Sequence, residues 1–124
     1  MPEIYEARRE AERALLGAIL IEAACYHQAI SEVKKILSLA DFLDAPFHKG
    51  QHARIFEAMT HLEYPHQVSV AEKLNDMGKL QTGDCAYLCG LVADCPCSLD
   101  YMDYAQTVLN YSTKKKPQYK NGVS

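Results

Sequence analysis

A chain of 124 residues, 48% hydrophobic and 23% charged, suits one domain with a single modest core. No apolar run is long enough to span a membrane, and the opening "MPEIYEARRE" has no apolar signal core, so a cytoplasmic location with reduced thiols is expected; five cysteines, an odd number, exclude a complete disulfide framework. Lys114, Lys115, Lys116 and Lys120 crowd the last thirteen positions, leaving nine basic residues against sixteen acidic ones in residues 1–111, a body that should touch proteins and make little direct contact with nucleic acid.

In "EAERALLGAILIE", Ala11, Leu15, Ala18 and Ile19 recur at helical spacing, and Leu16 and Leu20 widen the stripe. Gly17 in mid-helix costs about 1 kcal/mol of helix propensity; its expected use is to let another backbone come close. A second helix is predicted from near Ala24 to about Lys35, contributing Ile30, Val33, Ile36 and Leu37 to the core. The segment "SLADFLDAPFHKG" then breaks the pattern: Pro46 and Gly50 are turn residues, and Phe42, Leu43 and Phe47 read as plugs into the core. "QHARIFEAMTHLE" restores a helical stripe of Ile55, Phe56, Met59 and Leu62, ended by Pro65.

Ser69 and Glu72 have capping-box spacing, which predicts a short helix starting at Ser69 with Val70, Leu74 and Met77 inward and Gly78 as its left-handed terminator. Asp84 is expected to cap the next helix and Ser98 the last, whose stripe is Met102, Ala105, Val108 and Leu109. Beyond Tyr111 the polar, lysine-rich sequence has no apolar periodicity. The expected organisation is a helical domain over 1–111 and a disordered tail over 112–124. No strand pattern or internal repeat is present. The predicted class is all-α, a compact bundle of about six helices.

Four of the five cysteines, Cys85, Cys89, Cys95 and Cys97, fall within "DCAYLCGLVADCPC". On a helix beginning near Cys85, the residues Cys85, Leu88, Cys89 and Val92 follow the spacing of a buried stripe, and free cysteine packs like a small hydrophobe. The alternative is a zinc site of these four thiols. Their spacing, C-x3-C-x5-C-x-C, lacks the paired C-x2-C turns of structural zinc sites, and no C-x-x-C redox motif is present. Packed thiols are therefore the preferred reading, with no metal expected.

Other chemistry is thin. His48 and His52 are four apart but lack the glutamate of a zinc-protease helix, and His27, His61 and His66 are isolated and expected at the surface. The one Gly-Lys pair, Gly78-Lys79, is not part of a phosphate-binding loop, and no G-x-S-x-G occurs. The pairs Glu10/Glu12 and Asp100/Asp103 read as solvated helix faces. No cofactor and no enzymatic activity are expected. The tail mixes lysine with tyrosine, and a solvated tail is preferred over a nucleic-acid contact.

Three segments in a fixed order resemble the N-terminal domain of the bacterial replicative DNA helicase, the DnaB family. "EAERALLGAIL" is similar to its "EAE-x-x-xLG" opening, through Glu10, Glu12, Leu16 and Gly17. "ADFLDAPFHKGQHARIFEAM" places Asp41, Phe42, His52, Ile55 and Phe56 on its second motif. "VSVAEKLNDMGKLQTGDCAYLCGLVADCPCSLDYMDYAQTV" matches its third through Leu74, Gly78, Leu80, Gly83, Tyr87, Leu88, Leu91, Pro96, Tyr104, Ala105 and Val108. The resemblance spans roughly residues 7–111, and the cysteines fall where the family pattern asks for none. The stretch between Phe42 and His52 is longer than the pattern, Gln67 stands where it has an aspartate, and no motor domain follows "YAQTV". A domain cut from a helicase and a free-standing relative are both compatible with that ending.

The resemblance implies a non-catalytic head that acts in DNA replication as part of the primosome. Such a head helps organise the helicase ring and docks the C-terminal domain of primase, a helicase loader, or other DnaB-like subunits. Weak self-association is expected of this piece alone. Two other classes compete: the helicase-binding domain of a primase, a related helical module that should lack the "EAE…LG" opening, and a small zinc-binding module built on the cysteines. Tyr26, Tyr101 and Tyr111 are the aromatic candidates for partner contact.

Overall fold

The apolar stripe of "EAERALLGAILIE" lies on α1 (Pro2–Glu22), where Leu15, Leu16, Ala18 and Ile19 are completely buried. The computed structural model describes residues 2–22, 28–42 and 50–115. Over these the chain continues with α2 (Gln28–Lys34), a 3-10 turn (Leu39–Asp41), α3 (Gln51–Thr60), α4 (Gln67–Asp76), α5 (Asp84–Ala93), a second 3-10 turn (Ser98–Asp100) and α6 (Tyr101–Lys115). The class is all-α with six helices, as the sequence predicts, and no strand occurs among the described residues. None of these helices is long and apolar enough to cross a membrane.

Helix α1 is the spine. It packs along α6 and α5 and also touches α2 and α3, while α4 closes over α3 and α5. Gly17 sets the closeness of one of these contacts. A Cβ there would run into the carbonyl of Leu91 on α5 and crowd the Cβ of Cys95 at 3.3 Å, so only glycine lets α1 and α5 approach to this distance. The core is one cluster, in which Phe42 stacks on Phe56 with ring centroids 4.8 Å apart and Ile55, Met59, Val70, Leu74, Leu88 and Val108 fill the space between helices.

The ends of α4 separate local signals that hold from those that do not. At its C-terminus Gly78 has φ +71°, the Gly78 amide donates to the Asn75 carbonyl at 3.0 Å, and the Lys79 amide donates to the Leu74 carbonyl at 2.8 Å. That is the paired termination expected of a left-handed glycine. At its N-terminus the helix starts earlier than Ser69. His66 is the cap, its Nδ1 accepting from the Ser69 amide while Ser69 Oγ accepts from the His66 amide. The reciprocal pair of a capping box is present, shifted by three residues.

Three other expectations are corrected. Gly83, not Asp84, precedes α5, and Asp84 is its first residue, turned inward. Ser98 opens a 3-10 turn, and its hydroxyl donates to Glu22 at the end of α1. Helix α6 runs on to Lys115, past Tyr111, because Ser112 is buried and donates to Asp41 Oδ1 at 2.6 Å. The start predicted for α2 near Ala24, the plugs Leu43 and Phe47, and the tail from Lys116 onward lie outside the described residues.

Candidate functional site

Three polar residues of the sequence motifs, Glu12, Asp41 and His52, are buried inside the bundle. Glu12 on α1 is completely buried, although its position in "REAERA" reads as a solvated face. His52 Nδ1 donates to Glu12 Oε1 at 2.7 Å, since a carboxylate can only accept. In the neutral ring Nε2 then accepts from the Tyr87 hydroxyl, 2.6 Å away on α5. Arg8, one turn before Glu12, donates through Nε to Glu12 Oε2 at 3.3 Å and through Nη2 to the Asp41 carbonyl at 2.9 Å. Asp41 carries the chain outward again: its Oδ2 accepts from the Ser38 amide at 2.8 Å, and its Oδ1 accepts from Ser112 on α6. One run of hydrogen bonds therefore joins α5, α3, α1, the first 3-10 turn and α6.

A hydroxyl, an imidazole and a carboxylate in series also describe a nucleophile with its base and orienting acid. The surroundings argue against that use here. His52 is 3% exposed, and the Tyr87 ring is covered by the guanidinium groups of Arg9 and Arg13, 5.8 and 5.1 Å from its centroid. A small groove of about 110 Å³ lies alongside, lined by Glu10, Arg13, Ala14, Leu91, Asp94 and Pro96, well below the several hundred Å³ of a usual small-molecule site. Arg13 bridges it to Asp94 at 2.9 Å. The series ties helices together.

A second buried pair lies a short way along α3. Arg54 and Asp84 are 8% and 1% exposed and bonded twice, Nη1 to Oδ2 at 2.8 Å and Nη2 to Oδ1 at 3.3 Å. Asp84 also accepts from the Gln81 amide at 2.8 Å and from Gln51 Nε2 at 3.2 Å, and Arg54 donates to the Lys79 carbonyl at 2.8 Å. Burial alone would raise the Asp84 carboxyl, but the bonds from Arg54, Gln81 and Gln51 outweigh it and hold the group below the ordinary carboxylate range. Sequence reasoning missed this pair. The available signal was an arginine adjoining the apolar stripe of α3 and an aspartate opening an otherwise uncharged helix.

The cysteines are the main correction. The buried face of α5 is Asp84, Leu88 and Leu91, with Tyr87 half-buried, so Cys85 and Cys89 point outward and are exposed. Cys97 is exposed as well. Of these four, only Cys95 is partly covered, its thiol facing the Ala14 carbonyl at 3.7 Å, and burial pushes that thiol up. Packed thiols therefore do not explain the cluster. A four-cysteine metal site within one chain is not assembled either: no three metal-ligating side chains come together among the described residues.

The remaining candidates divide clearly. Leu16, Gly17, Phe42, Ile55, Phe56, Leu74, Leu88 and Ala105 are core or packing positions. Tyr104 is half-buried and accepts from the Cys97 amide at 3.2 Å, fixing the turn that contains the exposed Pro96. Glu10 is on the surface, as are His61, His66, Asp100 and Asp103, whereas Met102, expected inside, is 37% exposed. Tyr101 and Tyr111 are half-buried, and Tyr101 donates to Glu32, so neither is a free aromatic. Tyr26, His27 and His48 lie outside the described residues.

Compared with known proteins, the chain matches the family model of the DnaB-like helicase N-terminal domain over residues 5–110. No curated protein and no solved structure matches it. That family is the non-catalytic part of the helicase, in keeping with polar residues that hold helices together instead of facing a substrate. The match takes in nearly the whole helical body, α1 to α6, and the chain belongs to the DnaB-like helicase N-terminal domain family.

Proposed function

We propose that this chain is a docking and oligomerisation head in DNA replication, organising a helicase ring and receiving the C-terminal domain of primase or a helicase loader in the cytoplasm. The observation that carries the reading is the family match over residues 5–110. The acidic balance of residues 1–111 supports protein partners over nucleic acid. The interior supports it too, because the groups most suited to catalysis, His52, Glu12 and Tyr87, are used in cross-linking helices. The chain self-associates weakly; an obligate hexamer at low micromolar concentration by light scattering would contradict this.

The test is a calorimetric titration with the C-terminal domain of primase from the same organism. Saturable one-to-one binding at micromolar strength or better is expected, weakening little with added salt if the contact is mainly apolar. The absence of both heat and co-elution at high concentration, with primase and with the loader, would overturn the docking reading.

A further inference from the structure

Helix α5 has a face that no other part of the described chain covers. Cys85, Ala86, Cys89 and Ala93 are exposed, Gly90 adjoins them with open space around its Cα, and no charged side chain lies between Asp84 and Asp94. Such a face is short in side-chain bulk, so a second helix backbone can come close to it. It also carries two thiols at i and i+4, one turn apart on the same side, a spacing at which both sulfurs reach a single ion. Two thiolates are half of the tetrahedral set that zinc takes in a closed site. The other two thiols of the cluster do not complete it within the chain.

We propose that Cys85 and Cys89 form a half-site for zinc, completed by the same two residues of a second copy of this chain. The two α5 helices then cross at their small-residue faces around one shared ion. Symmetry favours this occupant, because a two-fold axis through the metal makes one pair of cysteines into four ligands with no further sequence requirement. On binding, the four thiols release four protons and the ion exchanges its waters for four sulfurs, with no change of oxidation state. The site belongs to this chain's own cysteines and stands independently of primase docking.

The experiment is a titration of the reduced, metal-free 124-residue chain with Co²⁺ and then Zn²⁺, in a non-thiol reductant, followed by absorbance and by light scattering on a sizing column. The expected result is a thiolate-to-cobalt band with tetrahedral character that saturates at one metal per two chains, is displaced by zinc, and accompanies a doubling of mass. Cys85→Ser and Cys89→Ser should each abolish band and dimer, and Cys95→Ser and Cys97→Ser should leave both. Ala86→Glu keeps both thiols but puts charge and bulk on the contact face, and should prevent the mass doubling. Both serine substitutions are at exposed positions, and far-UV circular dichroism checks that the helices remain. Binding at one metal per chain without dimerisation, loss of the band in Cys95→Ser or Cys97→Ser, a mass that added metal leaves unchanged, or no thiolate band at all would each overturn the proposal.

Discussion

Helices α3 and α5 have the same length and pack in the same core, yet only one of them announces its inward face. In α3 the residues Ile55, Phe56 and Met59 stand out against Gln51, Glu57 and Thr60, and the stripe they form is the one that is buried. In α5 everything after Asp84 except Tyr87 is apolar or small, so its sequence has little contrast to read. The rotation of α5 is set by its polar residues. Asp84 meets Arg54, and Tyr87 meets His52, both on α3. Turning α5 to bury Cys85 and Cys89 would strand a buried guanidinium and a buried imidazole, and thiols offer nothing comparable in return. A helix without a polar face takes its orientation from the neighbour that already holds one.

The hardest blow to this arrangement is Asp84→Ala, which leaves Arg54 buried beside no countercharge. A loss of about 3–5 kcal/mol is expected in urea unfolding, the range for breaking a buried pair from one side. Asp84→Asn should cost less and should also change the response to acid. Because the folded state holds this carboxyl below its ordinary value, the contribution of the pair is fully present above the unfolded aspartate value of about 3.9 and fades as pH falls through the lower folded value. Wild type should therefore lose stability more steeply than Asp84→Asn in that acid window. Equal slopes would mean that Asp84 does not pin α5.

Gly17→Ala probes the other constraint on α5, its distance from α1. Alanine gains about 1 kcal/mol of helix propensity, but its Cβ meets the Leu91 carbonyl, and a backbone atom cannot step aside as a flexible side chain can. Overpacking of this kind costs about 1–3 kcal/mol, so a net loss is expected in thermal unfolding. A stabilised variant would show that the two helices can separate freely. The role of this glycine is legible in the sequence, because a helix breaker in the middle of an apolar stripe has few other uses. That of Glu12 is not. Alone it looks like any exposed helical glutamate, and its burial depends on His52, forty positions later, and on Arg8 covering its second oxygen. The six helices and most of the core follow from spacing. The polar interior does not, because it is made of long-range pairs that leave no local period.

Tyr87→Phe sharpens the comparison without breaking it. The ring stays, with His52 at 5.7 Å and the two arginines over its face, and only the hydroxyl that satisfies His52 Nε2 is lost. The expected cost is about 1 kcal/mol, the net value of one hydrogen bond, because a half-buried site lets water approach the freed nitrogen. A loss as large as that of Asp84→Ala would mean that the Tyr87 bond, more than the ion pair, fixes the rotation of α5.

The smallest effects should fall on the outward side of the same helix. A thiol packed in the core is costly to replace with a hydroxyl, whereas one in solvent is nearly neutral, so Cys85→Ser and Cys89→Ser should each change the stability of the metal-free chain by no more than about 0.5 kcal/mol. Thiol labelling of the native protein gives the same comparison on one molecule. Cys85, Cys89 and Cys97 are exposed and should react fast, while Cys95, half-buried against α1 with its thiol pushed up, should react slowly until the chain unfolds. Were Cys85 and Cys89 protected in the reduced, metal-free monomer and sensitive to serine by about a kilocalorie or more, α5 would have to be turned the other way. Arg54 and His52 would then need partners other than Asp84 and Tyr87.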